Sequence, residues 1–188
     1  MSKNIQIQQE NVLNAYKNAS DEQKELLEHL FGREVFKPAD VKERIKTFAD
    51  AAKAVGIEDP EEWEEQYSDL EPDVLAYFKL RIITKALNEG WEPKFTVGEY
   101  RWFPFFVLYT KDEIDKMDEK TRTRVVQRSS DGSNTYGGVA YVDASSGSSY
   151  TYSYYGSRLA FKSEELAEYA GKQFTEIYAD FCFIPKDF

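Results

Sequence analysis

The first half of the chain has apolar residues at helical spacing, interrupted by residues that start and stop helices. Ser20 with Gln23 three positions later forms a capping-box signature, and Gly32 supplies the stop. We expect this helix to bury a stripe made of Leu26, Leu27, Leu30 and Phe31. Asp40 with Glu43 starts a second pattern, which runs to Gly56 through Val41, Ile45, Phe48, Ala49, Ala52 and Val55.

Three further helices are indicated in this half. Asp59-Pro60 starts a short one that contains Trp63, because proline is favoured in a first helical turn. Pro72 starts a longer helix that ends at Gly90, with an inward stripe of Val74, Leu75, Phe78, Ile82 and Ile83. A weaker helical pattern covers Gln8–Asn18, preceded by a short strand at Ile5/Ile7.

After Gly90 the pattern changes to short strands. Tyr100–Tyr109 is strongly aromatic and contains Pro104, which is typical of a bent or edge strand. Thr110 with Glu113 predicts a short acidic helix to about Met117, and Thr121–Arg128 has a strand pattern.

The last part of the chain predicts a hairpin and a closing helix. Gly138–Asp143 and Tyr150–Tyr155 are its strands, joined by the sequence ASSGSS. Arg158–Lys162 is a short inner strand. Ser163 caps a helix that buries Leu166, Tyr169, Ala170, Phe174, Ile177, Tyr178 and Phe181. The predicted fold is therefore α+β, with a helical region over residues 1–90 packed on a mixed region over 91–188.

The segment Ser129–Ser157 has an unusual composition. Its 29 residues include 9 Ser, 6 Tyr and 5 Gly, and lack Lys, Glu, Gln, Met and Trp. Tyrosine offers a rigid amphipathic ring and serine offers adaptable hydrogen bonds, a combination that antibody loops use for recognition. One interpretation is a recognition surface; the other is a long surface hairpin whose rings serve only as β-formers.

Charge and cysteine content exclude several function classes. The net charge of −10 argues against nucleic-acid binding, and Arg122, Arg124 and Arg128 are interpreted as a solvated strand face. The single Cys182 excludes an intrachain disulfide and a multi-cysteine zinc site. The chain starts MSKNIQ and has no apolar run of spanning length. We therefore expect synthesis in the cytoplasm without a signal peptide, and no membrane insertion.

No catalytic set, cofactor site or metal site is recognised. His29 is the only histidine and is expected on a helix surface, and Cys182 is expected to be a buried small hydrophobe. The acidic cluster at Asp112, Asp115 and Asp118 has helical spacing, not that of a calcium loop. Gly137-Gly138 alone is too short for a phosphate-binding loop. The chain is predicted not to be an enzyme.

The sequences ERIKTFADA, KLRIITKALNEGWEPKF, RVVQRSS, GGVAY and GSRLAFKSEELAEYAGKQF resemble uncharacterised proteins from phages and prophages of gut bacteria. The carboxy-terminal half is also similar to the variable proteins of diversity-generating retroelements, which display hypervariable residues on a C-type-lectin-like scaffold. In those proteins NNY codons replace AAY codons, and NNY cannot encode the five residue types missing from Ser129–Ser157. Two features depart from that family: a helix follows the GSR sequence, and Val139-Ala140-Tyr141 replaces the tryptophan after the double glycine.

The resemblance implies a C-type-lectin-like carboxy-terminal half and a set of site residues. Fixed scaffold positions would be Gly137, Gly138, Gly156, Arg158 and Leu159. Variable, ligand-binding positions would be Ser130, Asp131, Ser133, Asn134, Tyr136, Tyr141, Asp143, Ser145, Ser146, Tyr150, Tyr152, Tyr154 and Tyr155. The predicted function is binding of a host-surface glycan or protein by a phage adhesin. The alternative is a virion component, capsid-decorating or in the tail, that uses the same surface for contacts with other subunits or with itself.

Overall fold

The protein is described by a computed structural model that covers residues 6–36, 40–94, 96–129, 135–148, 151, 153 and 156–182. Across these residues the fold is α+β, with ten α-helices, a helical amino-terminal half and one three-stranded antiparallel sheet. The chain divides into two compact units, Met1–Arg44 and Ile45–Phe188. The predicted boundary at Gly90 falls inside the second unit.

The first unit is a small helical assembly. It contains α1 (Gln9–Lys17), α2 (Asp21–Phe31), a 3₁₀ turn (Arg33–Phe36) and α3 (Val41–Arg44). The predicted capping box of Ser20 and Gln23 is confirmed at the start of α2, and Gly32 ends it. None of the four residues of the expected apolar stripe is buried: Leu27 and Phe31 are half-buried, and Leu26 and Leu30 are 59% and 66% exposed. Ile5 lies outside the described residues, and Ile7 is not in a strand.

The second unit starts with three helices, α4 (Phe48–Ala54), α5 (Pro60–Gln66) and α6 (Pro72–Asn88). The prediction of one helix from Asp40 to Gly56 is wrong. Thr47 and Asp50 form their own capping box at the start of α4, and this separates α4 from α3. Asp59 and Pro60 start α5 as predicted, and Pro72 occupies the first turn of α6.

Helix α6 provides the centre of the core of this unit. Its fully buried apolar side chains are Leu80, Ile83 and Leu87. Of the predicted inward stripe only Ile83 is buried, whereas Val74, Leu75, Phe78 and Ile82 are half-buried. Asn88, the last residue of α6, donates from its side-chain amide to Ala160 O (2.8 Å) and accepts from Lys162 N (3.0 Å). These bonds attach α6 to the segment before the closing helices.

The sheet has the order β1–β3–β2, with β1 at Arg101–Thr110, β2 at Val126–Ser129 and β3 at Thr135–Gly147. Both neighbours run antiparallel to β3. The bent strand predicted around Pro104 is confirmed, since the β1–β3 register shifts between Phe105 and Phe106. Helices α7 (Lys111–Asp115) and α8 (Glu119–Arg122) connect β1 to β2.

Two helices close the unit, α9 (Glu164–Gln173) and α10 (Thr175–Cys182). The hydroxyl of Ser163 accepts from Leu166 N, which confirms the predicted cap, but the helix is interrupted at Phe174. Tyr178 and Phe174 are buried, and the Tyr178 ring packs against Phe106 of β1 with centroids 4.8 Å apart.

Three strand predictions need correction. The predicted strand Thr121–Arg128 starts too early: Thr121 and Arg122 are helical, because Asp118 caps α8 by accepting from Thr121 N, and β2 begins only at Val126. Arg158–Lys162 contains a 3₁₀ turn and a single bridge at Phe161 instead of a strand. The sequence ASSGSS is not a hairpin turn, since four of its residues lie in β3 and pair with β1. None of the described helices is long and apolar enough to cross a membrane.

Candidate functional site

The tyrosine-rich segment is divided by the long strand β3. Ser129 pairs with Thr135 at the first end of β3, whereas Ser148 follows its last residue, Gly147. A strand of 13 residues extends about 40 Å. A standard protein interface buries about 800 Å² per partner, a patch narrower than that length. The two ends of β3, at Thr135 and Gly147, are therefore too far apart for one ligand of ordinary size to contact both.

Most of those positions fall outside the described residues. These are Ser130, Asp131, Ser133, Asn134, Tyr150, Tyr152, Tyr154 and Tyr155. Tyr136 is described only as part of the β3 backbone. Four positions remain for description, Tyr141, Asp143, Ser145 and Ser146, and all four lie in β3.

Tyr141 packs against its own subunit. Its ring meets Phe106 edge-on, with centroids 6.0 Å apart, and Lys172 Nζ lies 5.4 Å from the ring centroid. A Cβ atom at Gly171 of α9 would come within 2.4 Å of Tyr141 Cδ2, so the helix approaches the ring as closely as glycine permits. The ring therefore does not offer a free stacking face, and Tyr141 can reach a ligand only through its edge and hydroxyl.

The surroundings of Tyr141 raise the pKa of its hydroxyl further above neutral pH. Burial, together with the carboxylates of Glu168, Asp143 and Glu164, raises the pKa of Tyr141 to about 12. At neutral pH the phenol is thus a hydrogen-bond donor as well as an acceptor.

A groove with a volume of about 500 Å³ opens beside Tyr141. Its lining comes from the segment before β2 and from the junction of α9 with α10, and includes Arg124, Val126, Lys172, Gln173 and Glu176. The Gln173 amide donates a hydrogen bond to Lys46 O (2.7 Å), and Lys172 forms an ion pair with Glu168. The groove is of a size that suits a small polar ligand.

The three arginines interpreted as a solvated face have different roles. Arg122 donates to the carbonyl oxygens of Ile114 (3.2 Å) and Asp115 (3.0 Å), and so closes the α7–α8 turn. Arg128 donates from Nε to Asp180 (2.7 Å) and from Nη1 to Glu176 Oε2 (2.8 Å), which joins β2 to α10. The side chain of Arg124 is exposed and makes no hydrogen bond or ion pair among the described residues. Sequence spacing could not separate the three, because the partners of Arg128 lie about fifty positions away.

The predicted scaffold positions are described in full. A Cβ atom at Gly137 would lie 2.2 Å from Tyr109 O, and one at Gly138 would lie 2.3 Å from Val125 Cγ1. Both positions therefore need glycine for close strand packing. Gly156 has φ +59, Leu159 is buried, and Arg158 is exposed.

Asp143, Ser145 and Ser146 lie in the second half of β3. Asp143 is exposed and accepts a hydrogen bond from Ala144 N (2.8 Å), while Ser145 is exposed and Ser146 is half-buried. Their polar side chains are short and lie next to β1, so they provide hydrogen-bonding groups but little contact area.

One residue that sequence reasoning missed lies in β1, opposite the last residue of β3. Arg101, the first residue of β1, is 1% exposed. Its Nη2 donates to the carbonyl oxygen of Ser148 and its Nη1 to Ser157 Oγ (3.4 Å). The only sequence signal was a basic residue at the start of an otherwise apolar strand.

The residues considered for chemistry do not form a catalytic arrangement in the described part of the chain. His29 is exposed, with Nδ1 2.9 Å from Glu25 O. The prediction that Cys182 is buried is wrong, since the residue is exposed at the end of α10. Neighbouring atoms still shield its thiol partly from water, and this raises the pKa of Cys182. No group of three or more His, Cys, Asp or Glu side chains that could hold a metal occurs among the described residues.

Comparison of the chain with protein-family models, with curated proteins and with solved structures found no match.

Proposed function

We propose that this is a non-enzymatic binding protein whose recognition surface is the tyrosine-rich segment beyond the second end of β3, residues 148–157. The proposal rests on one observation, the concentration of Tyr and Ser in a segment that has exposed residues within it and directly after it. Thr151, Ser153 and Arg158 are all exposed. Exposed aromatic clusters with small polar neighbours are common in protein and glycan recognition.

The ligand class we propose is a host-surface glycan or protein, as for a phage adhesin. Phage origin, a C-type-lectin-like scaffold and sequence diversification are supported only by the resemblance of the sequence. The proposal is limited to residues 148–157, because one ligand of ordinary size would not contact both Thr135 and Gly147, the two ends of β3.

The experiment is binding of the full chain to an array of immobilised oligosaccharides, compared with the triple variant Tyr150→Ala, Tyr152→Ala, Tyr154→Ala. We expect the variant to lose the array signal while its thermal melt stays within about 2 °C, since surface changes cost little stability. Tyr100→Ala is the matched control, because Tyr100 is an exposed tyrosine outside the segment. Unchanged array binding by the triple variant would contradict the proposal.

One observation favours the alternative of a virion component that associates with copies of itself. Strand β1 lies at the edge of the sheet order and exposes Phe105 (58%) and Leu108 (59%). Light scattering of the wild type and of the double variant Phe105→Lys, Leu108→Lys would test it. An oligomer that the double variant dissociates favours the structural role, and a monomeric wild type removes it.

A further inference from the structure

The charge of Arg101 is buried where the sheet meets the tyrosine-rich segment. A buried guanidinium is costly unless its donors are satisfied, so its acceptors are expected to be specific. Its acceptors Ser148 O and Ser157 Oγ belong to the first and the last residue of the segment 148–157. A single side chain therefore holds both ends of the segment.

The backbone on each side of Arg101 strengthens this arrangement. Arg101 pairs with Gly147, the residue immediately before Ser148. Its neighbour Trp102 forms a two-bond bridge with Phe161, with Trp102 N to Phe161 O at 3.1 Å and Phe161 N to Trp102 O at 2.8 Å. The chain therefore pairs with one edge of β1 at Gly147 and with its other edge at Phe161.

We propose that Arg101 is a positioning residue that fixes the two ends of the tyrosine-rich segment on the sheet. This inference rests on the proposed function in so far as residues 148–157 are the recognition surface. Fixing the ends lowers the conformational entropy that a binding loop must lose when it takes a ligand.

The two acceptors differ in whether their hydrogen bond to Arg101 survives substitution of the residue. At position 148 the acceptor is a main-chain carbonyl, which every residue type supplies. At position 157 it is a serine hydroxyl, which also lies 3.2 Å from Thr151 Oγ1. The segment can therefore vary at position 148 without loss of its attachment, whereas a change at Arg101 removes both bonds.

The test is hydrogen exchange of the full chain, followed by mass spectrometry, with Arg101→Met, Arg101→Lys and Ser148→Ala. For Arg101→Met we expect exchange in peptides covering 148–157 to be at least tenfold faster, with peptides of α6 unchanged. Arg101→Lys keeps the charge but not the two-pronged donor, so an intermediate increase is expected. Ser148→Ala is the matched control and should exchange like the wild type.

Faster exchange in 148–157 for Ser148→Ala, or no change there for both Arg101 variants, would overturn the proposal. If Arg101→Met does not fold, Arg101→Lys decides the outcome by itself. Exchange needs no ligand, so its failure leaves the proposed function standing. Conversely, retained array binding by the triple tyrosine variant would remove the proposed function and leave the attachment by Arg101 intact.

Discussion

Two glycines in β3, Gly138 and Gly147, differ in how much space surrounds them. A Cβ atom at Gly138 would lie 2.3 Å from Val125 Cγ1 and 3.0 Å from Val126 O, whereas one at Gly147 would meet nothing within 4 Å. We predict that Gly138→Ala lowers the free energy of unfolding by about 1–3 kcal/mol through overpacking. Gly147→Ala should be neutral or stabilising by up to about 1 kcal/mol, because it restricts the unfolded chain. Urea unfolding measures both, and equal effects would contradict this account of β3.

Single residues were predictable from the sequence where the interaction is local. The capping boxes that start at Ser20 and Thr110 involve side chains three positions apart, so the sequence contains both partners. Arg101 and Arg128 were not predictable, because their acceptors come from segments 47 and more positions away. Spacing alone cannot say whether an arginine is solvated or holds two elements together.

The start of α4 supports a prediction about a helix as a unit. The Asp50 carboxylate accepts from Thr47 N (2.9 Å) and Lys46 N (3.1 Å), and the Thr47 hydroxyl accepts from Asp50 N (3.1 Å). Burial acts to raise the pKa of Asp50, but these bonds outweigh it and the pKa is lowered. We predict that Asp50→Ala lowers the free energy of unfolding by about 1 kcal/mol at pH 7.

The pH dependence of that loss has a definite sign. A lowered pKa in the folded state means that the stabilisation by Asp50 is complete above about pH 4 and is lost as pH falls through the folded pKa. The difference between wild type and Asp50→Ala should therefore shrink on acidification in urea-unfolding series. Asp73→Ala is the control, since Asp73 lies in the first turn of α6, where the cap makes no side-chain bond. A difference that grows in acid would contradict the assigned role.

The connection between β2 and α10 gives a second prediction at this scale. Arg128 makes bonds to Asp180 and to both the side chain and the main-chain carbonyl of Glu176 (2.8 Å each for Glu176). We predict that Arg128→Gln costs about 1–2 kcal/mol, and that salt reduces the difference because two of the partners are partly exposed carboxylates. Arg124→Gln is the matched control and should change stability by less than about 0.5 kcal/mol. Thermal melts at low and high salt would measure the loss of stability in each variant. Equal losses for the two variants would count against the role of Arg128.

Elements whose own sequence contains start and stop signals were predicted well, and elements made by pairing were not. Helices α2, α5 and α6 begin at the expected residues. The second half of β3, with the sequence ASSG, has weak strand propensity and was expected to turn. It is extended because β1 pairs with it from Phe105 back to Arg101. Pairing with a strand about forty positions away overrides this local preference, so the sequence ASSG is extended and does not form the predicted turn.

At the scale of the molecule, the division at Arg44/Ile45 could not be found from the sequence. Composition changes at Gly90, where helices give way to strands, but α6 contributes Leu80, Ile83 and Leu87 to the core of the second unit. Secondary-structure content and compact units are therefore different divisions of this chain.

The two units are predicted to differ in local stability. Helix α2 has no buried residue and α1 buries only Val12, whereas α6 buries seven residues. A unit of 44 residues has little core to resist opening, so its amides should exchange through small local fluctuations. We expect peptides of α1 and α2 to exchange at least a hundredfold faster than peptides covering residues 80–87.

Measuring that exchange at two protein concentrations makes the prediction sharper. If the exposed Leu26 and Leu30 are covered by a second copy, protection of α2 rises with concentration while that of α6 stays constant. If they are not covered, both helices keep their rates at either concentration. Protection of α2 equal to that of α6 at low concentration would contradict the expected difference, because side-chain burial would then not govern opening in the first unit.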